Sequence, residues 1–155
     1  MTIDSNVHHQ PGHLIRRAHQ ISVSIFSEEC KPHGITPIQF GILYAVRESP
    51  GIDQITLARI VALDRSNTGD VVSRLEGRGL ISRTPGAKDR RTKLLAITAE
   101  GEAMVAAMTP NVRAAQSRLL EPLDPQQRDQ FMALLGKLVD INNPLSRAPE
   151  GKIER

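Results

Sequence analysis

Short polar side chains open one predicted helix, and their types are suited to hydrogen bonding with nucleic acid. The run reads Arg65-Ser66-Asn67-Thr68-Gly69-Asp70. Arg65 can pair with guanine through two hydrogen bonds, and Asn67 can pair with adenine in the same way. Ser66 and Thr68 can bond either phosphates or bases. Because Ser, Asn and Asp are favoured near any helix start, a solvated helix terminus is the alternative interpretation.

A second group of charged residues, Asp89-Arg90-Arg91, lies in a loop between two predicted strands. An arginine at the tip of a hairpin suits the narrow and strongly negative minor groove of DNA. Asp89 can orient the Arg91 guanidinium through a bidentate pair, which would position it for that contact. The alternative is an ordinary surface salt bridge, which contributes little to stability.

Positive charge is concentrated around these two groups. The chain of 155 residues has a formal net charge of +3, and residues 65–93 contain eight basic and three acidic side chains. A basic segment in a nearly neutral protein is typical of a surface that binds phosphates. A solvated charged face is the alternative, and charge alone does not separate the two.

Capping signals and apolar periodicity predict the helices that position these residues. The first helix runs from Pro11 to about Lys31, on the spacing of its apolar residues. Five further helices follow residues that can cap a helix, namely Thr36, Asp53, Asp64, Thr98 and Asp124. The helices capped by Asp53 and Asp64 are short and are joined by a tight turn at residues 62–64, which is typical of a helix-turn-helix unit.

After Gly79, the expected left-handed stop of the second short helix, the apolar pattern changes from helical to extended. It predicts strands over residues 80–83 and 93–97, joined by the charged loop 84–92. The predicted fold class is therefore mostly α with a small β-hairpin wing (α+β). It comprises a winged helix-turn-helix domain with N- and C-terminal dimerisation helices.

The length of the chain fits a single domain over residues 1–155. Within it, we expect residues 36–98 to form the winged helix-turn-helix core. The flanking segments 11–33 and 98–142 carry more apolar surface than this core can cover, so we expect them to form a homodimer. Residues 143–155 are rich in proline, glycine and charge, and we expect them to be frayed.

Several segments, in their order and spacing, strongly resemble the MarR family of transcriptional regulators. They are Leu57-Ala58, Leu63-Asp64-Arg65-Ser66-Asn67-Thr68, Arg74-Leu75-Glu76-Gly77-Arg78-Gly79-Leu80-Ile81, Asp89-Arg90-Arg91 and Leu95-Ala96-Ile97-Thr98-Ala99-Glu100-Gly101. The resemblance implies a triangular homodimer that binds pseudo-palindromic double-stranded DNA, usually as a repressor released by a small phenolic or aromatic ligand. It places the DNA contacts on Arg65, Ser66, Asn67, Thr68, Arg74, Asp89, Arg90 and Arg91. At Gly69-Asp70 the chain departs from the family, in which a β-branched residue and a small polar one are commoner.

The start of the first predicted helix looks like that of family members which control the breakdown of aromatic acids or aromatic acyl-CoA thioesters. It reads Pro11-Gly12-His13-Leu14-Ile15-Arg16-Arg17. This likeness implies an aromatic effector, bound where the dimerising helices meet the winged domain. The candidate polar anchors are Arg16, Arg17, His19 and Tyr44, and the candidate apolar wall residues are Phe40 and Met108. The alternative is that Tyr44 belongs to the core and the two arginines to a solvated face.

A thiol-based redox sensor is the alternative function, because some MarR relatives sense peroxides. Their reactive cysteine lies near the start of the first helix, whereas Cys30, the single cysteine of this chain, lies near its end. The apolar neighbours of Cys30 favour a buried and inert thiol.

Other classes of protein find little support in the sequence. The chain has five histidines, namely His8, His9, His13, His19 and His33. They are not accompanied by the glutamate-bearing motif of a zinc site. No nucleophile elbow, phosphate loop or dinucleotide fingerprint is present, so neither enzymatic activity nor a cofactor is expected. No apolar run approaches ~20 residues and the first 13 residues are polar, so we expect a cytoplasmic protein with no membrane partner.

Overall fold

A computed structural model describes residues 6–86 and 92–151 of the chain. The helices are α1 (Pro11–Glu29), α2 (Pro37–Glu48), α3 (Gln54–Ile60), α4 (Arg65–Gly77), α5 (Ala99–Leu119) and α6 (Pro125–Asn142). The strands are β1 (Ile52–Asp53), β2 (Ile81–Pro85) and β3 (Lys93–Ile97). The structure confirms the predicted fold class, because helices predominate and a small antiparallel sheet carries the wing.

In the structure, each predicted capping residue lies directly before the first residue of its helix. Thr36 accepts a hydrogen bond from the Gln39 amide at 3.3 Å, and the Gln39 side chain accepts one from the Thr36 amide at 2.9 Å. Such a reciprocal capping box satisfies two amide groups that would otherwise lack a partner. Asp53, Asp64, Thr98 and Asp124 also accept hydrogen bonds from the first turns of their helices.

Helix α1 ends at Glu29, slightly before the predicted boundary. A short 3-10 helix follows at Lys31–His33. Pro32 accounts for the early end, because it has no amide hydrogen with which to continue the helical bonding pattern.

The sheet has the strand order β1-β3-β2, with every described pair antiparallel. Ile52 of β1 lies opposite Leu95 of β3, and Ile81 of β2 lies opposite Ile97. The sequence does not predict strand β1, because two residues are too few to show an alternating pattern. These residues are a strand only because they pair with β3. Strand β2 extends to Pro85, two residues past the predicted end.

The core joins the winged domain to α5. Its largest fully buried side chains come from α2, α3, α4, the sheet and α5, and they include Ile42, Leu43, Leu57, Leu75, Ile81, Leu95 and Met108. Gly101 permits this packing, because a Cβ atom there would lie 2.2 Å from the Leu80 carbonyl oxygen. Gly79 has φ = 72°, the left-handed conformation expected at the end of α4.

Residues 143–151 are ordered, so the prediction that the C-terminus is frayed is wrong for this part. The Asn143 side chain donates to the Glu150 carbonyl at 2.9 Å and accepts from the Glu150 amide at 2.8 Å. The pairing closes a compact loop that no local pattern in the sequence predicts. Residues 152–155 lie outside the described part of the chain.

Candidate nucleic-acid interface and ligand cavity

Asp64 holds the amino end of α4 in a defined conformation. One carboxylate oxygen accepts the Asn67 amide at 2.9 Å, and the other accepts the Asn67 side chain at 2.5 Å. The hydrogen bond from the Asn67 backbone is the main reason why the pKa of Asp64 lies below its ordinary value. The cap therefore stays ionised at neutral pH and fixes the first turn of α4.

The exposed face of α4 carries most of the predicted DNA contacts. Ser66, Asp70 and Arg74 are spaced four residues apart and share one exposed face of the helix, whereas Leu75 is buried. Arg65 and Asn67 are also exposed at the first turn. Together they form a polar helix start of the kind that can meet base edges in a major groove.

Thr68 is the exception among the residues predicted on α4. Its side chain is 0% exposed, and its hydroxyl donates to the Asp64 carbonyl at 2.8 Å. This placement contradicts the expected DNA contact, because a buried hydroxyl committed to the backbone cannot reach a groove. The residue follows the spacing of Val72 and Leu75 on the inner side of the helix, which is the signal that could have revealed its position.

Arg83 supports α4 from the sheet and was not predicted as part of the site. Its guanidinium lies 3.2 Å from a Glu76 carboxylate oxygen and donates to the Ser73 hydroxyl at 2.7 Å. Along β2, Ile81 is buried, Ser82 is exposed and Arg83 is half-buried. A charged residue at an inward strand position is unusual, and this alternation could have identified Arg83 as a positioning residue.

The predicted wing contacts are Asp89, Arg90 and Arg91, which lie outside the described residues. The strands on either side, β2 and β3, are paired up to Pro85 and Lys93.

A cavity of about 310 Å³ lies between α1, α2 and α5. Its walls are mainly apolar, with the polar groups of His19, Ser22 and Gln116, and the remaining lining residues are Val23, Phe26, Pro37, Phe40, Gly41, Val112, Ala115 and Leu119. It lies between the flanking helices and the winged domain, where an effector was expected. His19 and Phe40 are the predicted ligand residues that line it.

The other predicted ligand residues do not line this cavity. Arg16 and Arg17 are exposed and donate to Gln20 one turn along α1. Tyr44 is 45% exposed and stacks under the Arg47 guanidinium, so it is not a core residue. Met108 is fully buried in the core and is not among the lining residues. Its position on the inner stripe of α5 explains why it packs against protein instead of facing the cavity.

Hydrogen bonds connect the far end of α4 to the flanking helices. Arg78 donates to the carbonyls of Gly34 and His33 at 2.7 and 3.1 Å. The His33 ring lies 3.3 Å from the side-chain oxygen of Asn111 on α5, next to the cavity residue Val112. These hydrogen bonds link Asn111 on α5 to Arg78 at the end of α4 by way of His33.

Cys30 is 1% exposed. Burial, and secondly the charge of Glu29, raises the pKa of its thiol. Because the thiolate is the reactive form, this environment disfavours redox sensing. Within residues 6–86 and 92–151, no three His, Cys, Asp or Glu side chains come together to hold a metal ion, and no helix has the length and apolarity to cross a membrane.

Known proteins resemble the chain in sequence. The model of the MarR family matches residues 35–93. The transcriptional repressor NicR of Pseudomonas putida is 32% identical over 135 residues, which cover 87% of this chain and 85% of NicR. The chain belongs to the MarR family. Members of this family are transcriptional regulators that bind DNA, so this MarR protein is a regulator and not an enzyme.

Solved structures of related regulators have the same fold. BpsR of Bordetella bronchiseptica, whose DNA binding is regulated by 6-hydroxynicotinic acid, superposes with a TM-score of 0.84 at 30% identity. That match covers 89% of this chain and 99% of BpsR. The repressor CouR, solved bound to a 23-mer DNA duplex, superposes with a TM-score of 0.82 at 28% identity, covering 90% of this chain and 99% of CouR.

Proposed function

We propose that this MarR protein is a homodimeric repressor that binds a pseudo-palindromic operator and is released by a small aromatic acid. The polar, exposed start of α4, held by Asp64 and braced by Arg83, is the observation that carries this proposal. Arg65, Ser66, Asn67 and Arg74 are the contacts on the helix, whereas Thr68 is structural. The wing residues complete the set, namely Asp89, Arg90 and Arg91.

The second copy is needed to cover the apolar surfaces of α1 and α6. Leu14 and Ile15 of α1 are 53% and 50% exposed, and Leu134 and Ile141 of α6 are 68% and 66% exposed. Patches of this kind are typical of interfaces rather than of monomer surfaces. A two-fold dimer would hold two copies of α4 about 34 Å apart, which is one turn of DNA.

The cavity between α1, α2 and α5 is the effector site of this proposal. Phe26 and Phe40 provide apolar walls, while His19 provides a hydrogen-bonding group for a carboxylate. A volume of about 310 Å³ suits an aromatic acid better than its much larger CoA thioester. The relation to NicR, together with the regulation of BpsR by 6-hydroxynicotinic acid, makes hydroxylated pyridine carboxylates the first compounds to test.

Release follows if the effector binds more tightly to a conformation that DNA does not accept. The cavity is bounded by α1 and α5, and the hydrogen bonds of Arg78 and His33 join these helices to α4. A ligand that separates the walls would therefore change the spacing of the two copies of α4 on the operator.

DNA binding is tested by fluorescence anisotropy with duplexes from the region beside the protein's own gene. We expect specific binding in the range of about 10⁻⁸ to 10⁻¹¹ M. Asn67→Ala should relax the preference at one base pair of each half-site, whereas the matched variant Gln126→Ala on α6 should not. Binding that ignores sequence in the wild-type protein would contradict the proposal.

Effector release is tested by titrating the protein–operator complex with 6-hydroxynicotinate, hydroxybenzoates, cinnamates and the CoA thioesters of these acids. Gly41 offers a sharp variant, because a Cβ built there meets no atom within 4 Å and the residue lines the cavity. We expect Gly41→Leu to fill the cavity and abolish release while DNA binding persists. Gly12→Leu is the control, as its Cβ also meets nothing. Release that is equal in both variants would place the effector elsewhere.

A further inference from the structure

The C-terminal segment, residues 143–151, folds back onto the helix-turn-helix unit. The Gly151 amide donates to the Arg59 carbonyl of α3 at 2.9 Å. The segment is held in shape by the two hydrogen bonds between Asn143 and Glu150, at 2.9 and 2.8 Å. Bonds within the segment therefore fix its shape, and the bond from Gly151 to Arg59 fixes its position on α3.

This docking creates a groove of about 470 Å³ beside the amino end of α4. Arg59 from α3, Arg65 from α4 and Arg147 from the C-terminal segment all line it. Within residues 6–86 and 92–151, none of these three guanidinium groups forms a hydrogen bond or an ion pair. Three cations from three separate elements thus converge on one surface without a protein partner.

Acidic groups neutralise the groove only in part. Asp64 lines it, and its ionised carboxylate, which the neutral Asn67 holds by two hydrogen bonds, offsets one of the three guanidinium charges. Glu150 is exposed on the segment, and the structure uses its backbone rather than its side chain to close the loop. The groove keeps a net positive charge, to which the positive end of the α4 dipole adds.

We propose that the C-terminal segment is a third DNA-contacting element, in which Arg147 binds a backbone phosphate next to the operator bases read by α4. The inference rests on the proposed DNA-binding function and extends it beyond the helix-turn-helix unit and the wing. In helix-turn-helix proteins the first helix crosses the DNA backbone and the second enters the major groove. Arg59 and Arg65 lie on those two helices, and Arg147 lines the same groove, so the proposal places Arg147 on the phosphates that these helices meet.

The test measures the salt dependence of DNA affinity for Arg147→Ala, with Arg113→Ala on α5 as the matched loss of an exposed arginine. We expect Arg147→Ala to weaken binding about threefold to tenfold on the operator and on an unrelated duplex alike. The slope of log affinity against log salt should fall by about two per dimer, one for each lost contact. Arg147→Lys should restore most of the slope, and Arg113→Ala should change neither quantity.

A second variant separates the docking of the segment from its charge. Asn143→Ala removes both bonds to Glu150, so we expect a smaller loss of affinity and a partial loss of slope at unchanged net charge. If Arg147→Ala leaves the salt slope unchanged while Asn67→Ala still alters base preference, the inference about the segment is wrong and the regulator function stands. A wild-type protein that binds no operator would overturn both.

Discussion

Helices α2 and α6 begin with the same local signals and end in different surroundings. Both have a proline at the first helical position and a capping box, Thr36 with Gln39 in α2 and Asp124 with Gln127 in α6. In α2, Ile42 is 0% exposed, as are Leu43 and Val46. Among the described residues, α6 contains no buried side chain. The capping signals at the start of a helix therefore do not indicate whether its apolar face is buried within the same chain.

The contrast separates two sources of stability in the molecule. The winged domain buries its apolar residues against its own sheet and α5, so it is stabilised within one chain. Helix α6 leaves Leu134 and Leu138 exposed at 68% and 47%, and in the proposed dimer the second chain covers them. Most of the stability of a helix in a protein comes from packing of its apolar face, so in the proposed dimer α6 depends on that association.

The largest effect should come from a charge on the apolar face of α6. Leu138→Asp would bury a carboxylate in the dimer interface, which is costly, so we expect dissociation into monomers. Loss of paired binding to the two half-sites should lower operator affinity about hundredfold or more. Light scattering and anisotropy measure the two effects.

The control for this variant is Ala133→Asp, which adds the same charge on the opposite, polar face of α6. It should leave both the dimer and the operator affinity intact. A Leu138→Asp protein that remains dimeric would show that α6 is not part of the interface.

A second prediction compares stability inside and outside the core. Leu75 is 0% exposed, so Leu75→Ala should lower the free energy of unfolding by about 2–5 kcal/mol. Leu138→Ala, measured below the dissociation concentration of the dimer, should change it by no more than about 0.5 kcal/mol. Urea denaturation at several protein concentrations checks both values. Equal effects would mean that α6 packs on its own chain.

The smallest predicted effect concerns the cap of α3. Burial alone raises the pKa of Asp53, but hydrogen bonds from Thr56 and Ile55 outweigh it, so the pKa lies below the ordinary 3.8. The ionised cap therefore stabilises the fold above that ordinary value, and the contribution is lost as the pH falls through the lowered pKa. We expect Asp53→Ala to cost about 1 kcal/mol near neutral pH and less in acid.

Urea denaturation between pH 2 and pH 7 measures this dependence. Asp129→Ala, at an exposed α6 position that caps no helix, serves as the comparison and should show no matching loss at neutral pH. A cost for Asp53→Ala that stays constant down to pH 2 would contradict the role of the ionised carboxylate.

Much of the fold was predictable because its signals are local. A cap such as Thr36 or Asp64 bonds to amides two or three residues ahead, and Gly79 adopts its conformation at a single position. The exposed start of α4 was predictable for the same reason. The residue type of Thr68 favours a DNA contact, whereas its position in the helical period, four residues before the buried Val72, predicts the burial that the structure shows.

Features that depend on distant segments were not predictable. Strand β1 exists through pairing of Ile52 with Leu95, which lies more than forty residues away. The cavity residues come from three helices, so residue type alone assigned Met108 and Tyr44 to it and missed Val112 and Gln116. No pattern within the C-terminal segment indicates that Arg147 lies beside Arg65.

The sequence by itself determined where the helices begin, which of their faces are apolar, and that a polar helix start precedes a basic hairpin. Those properties arise from bonds and side-chain spacing within a few residues of the chain. Only the tertiary structure decided that Thr68 is buried, that Arg83 braces α4, and that α6 is left without a partner in its own chain. These outcomes depend on which surfaces meet in space, and burial free energy is gained only when they do.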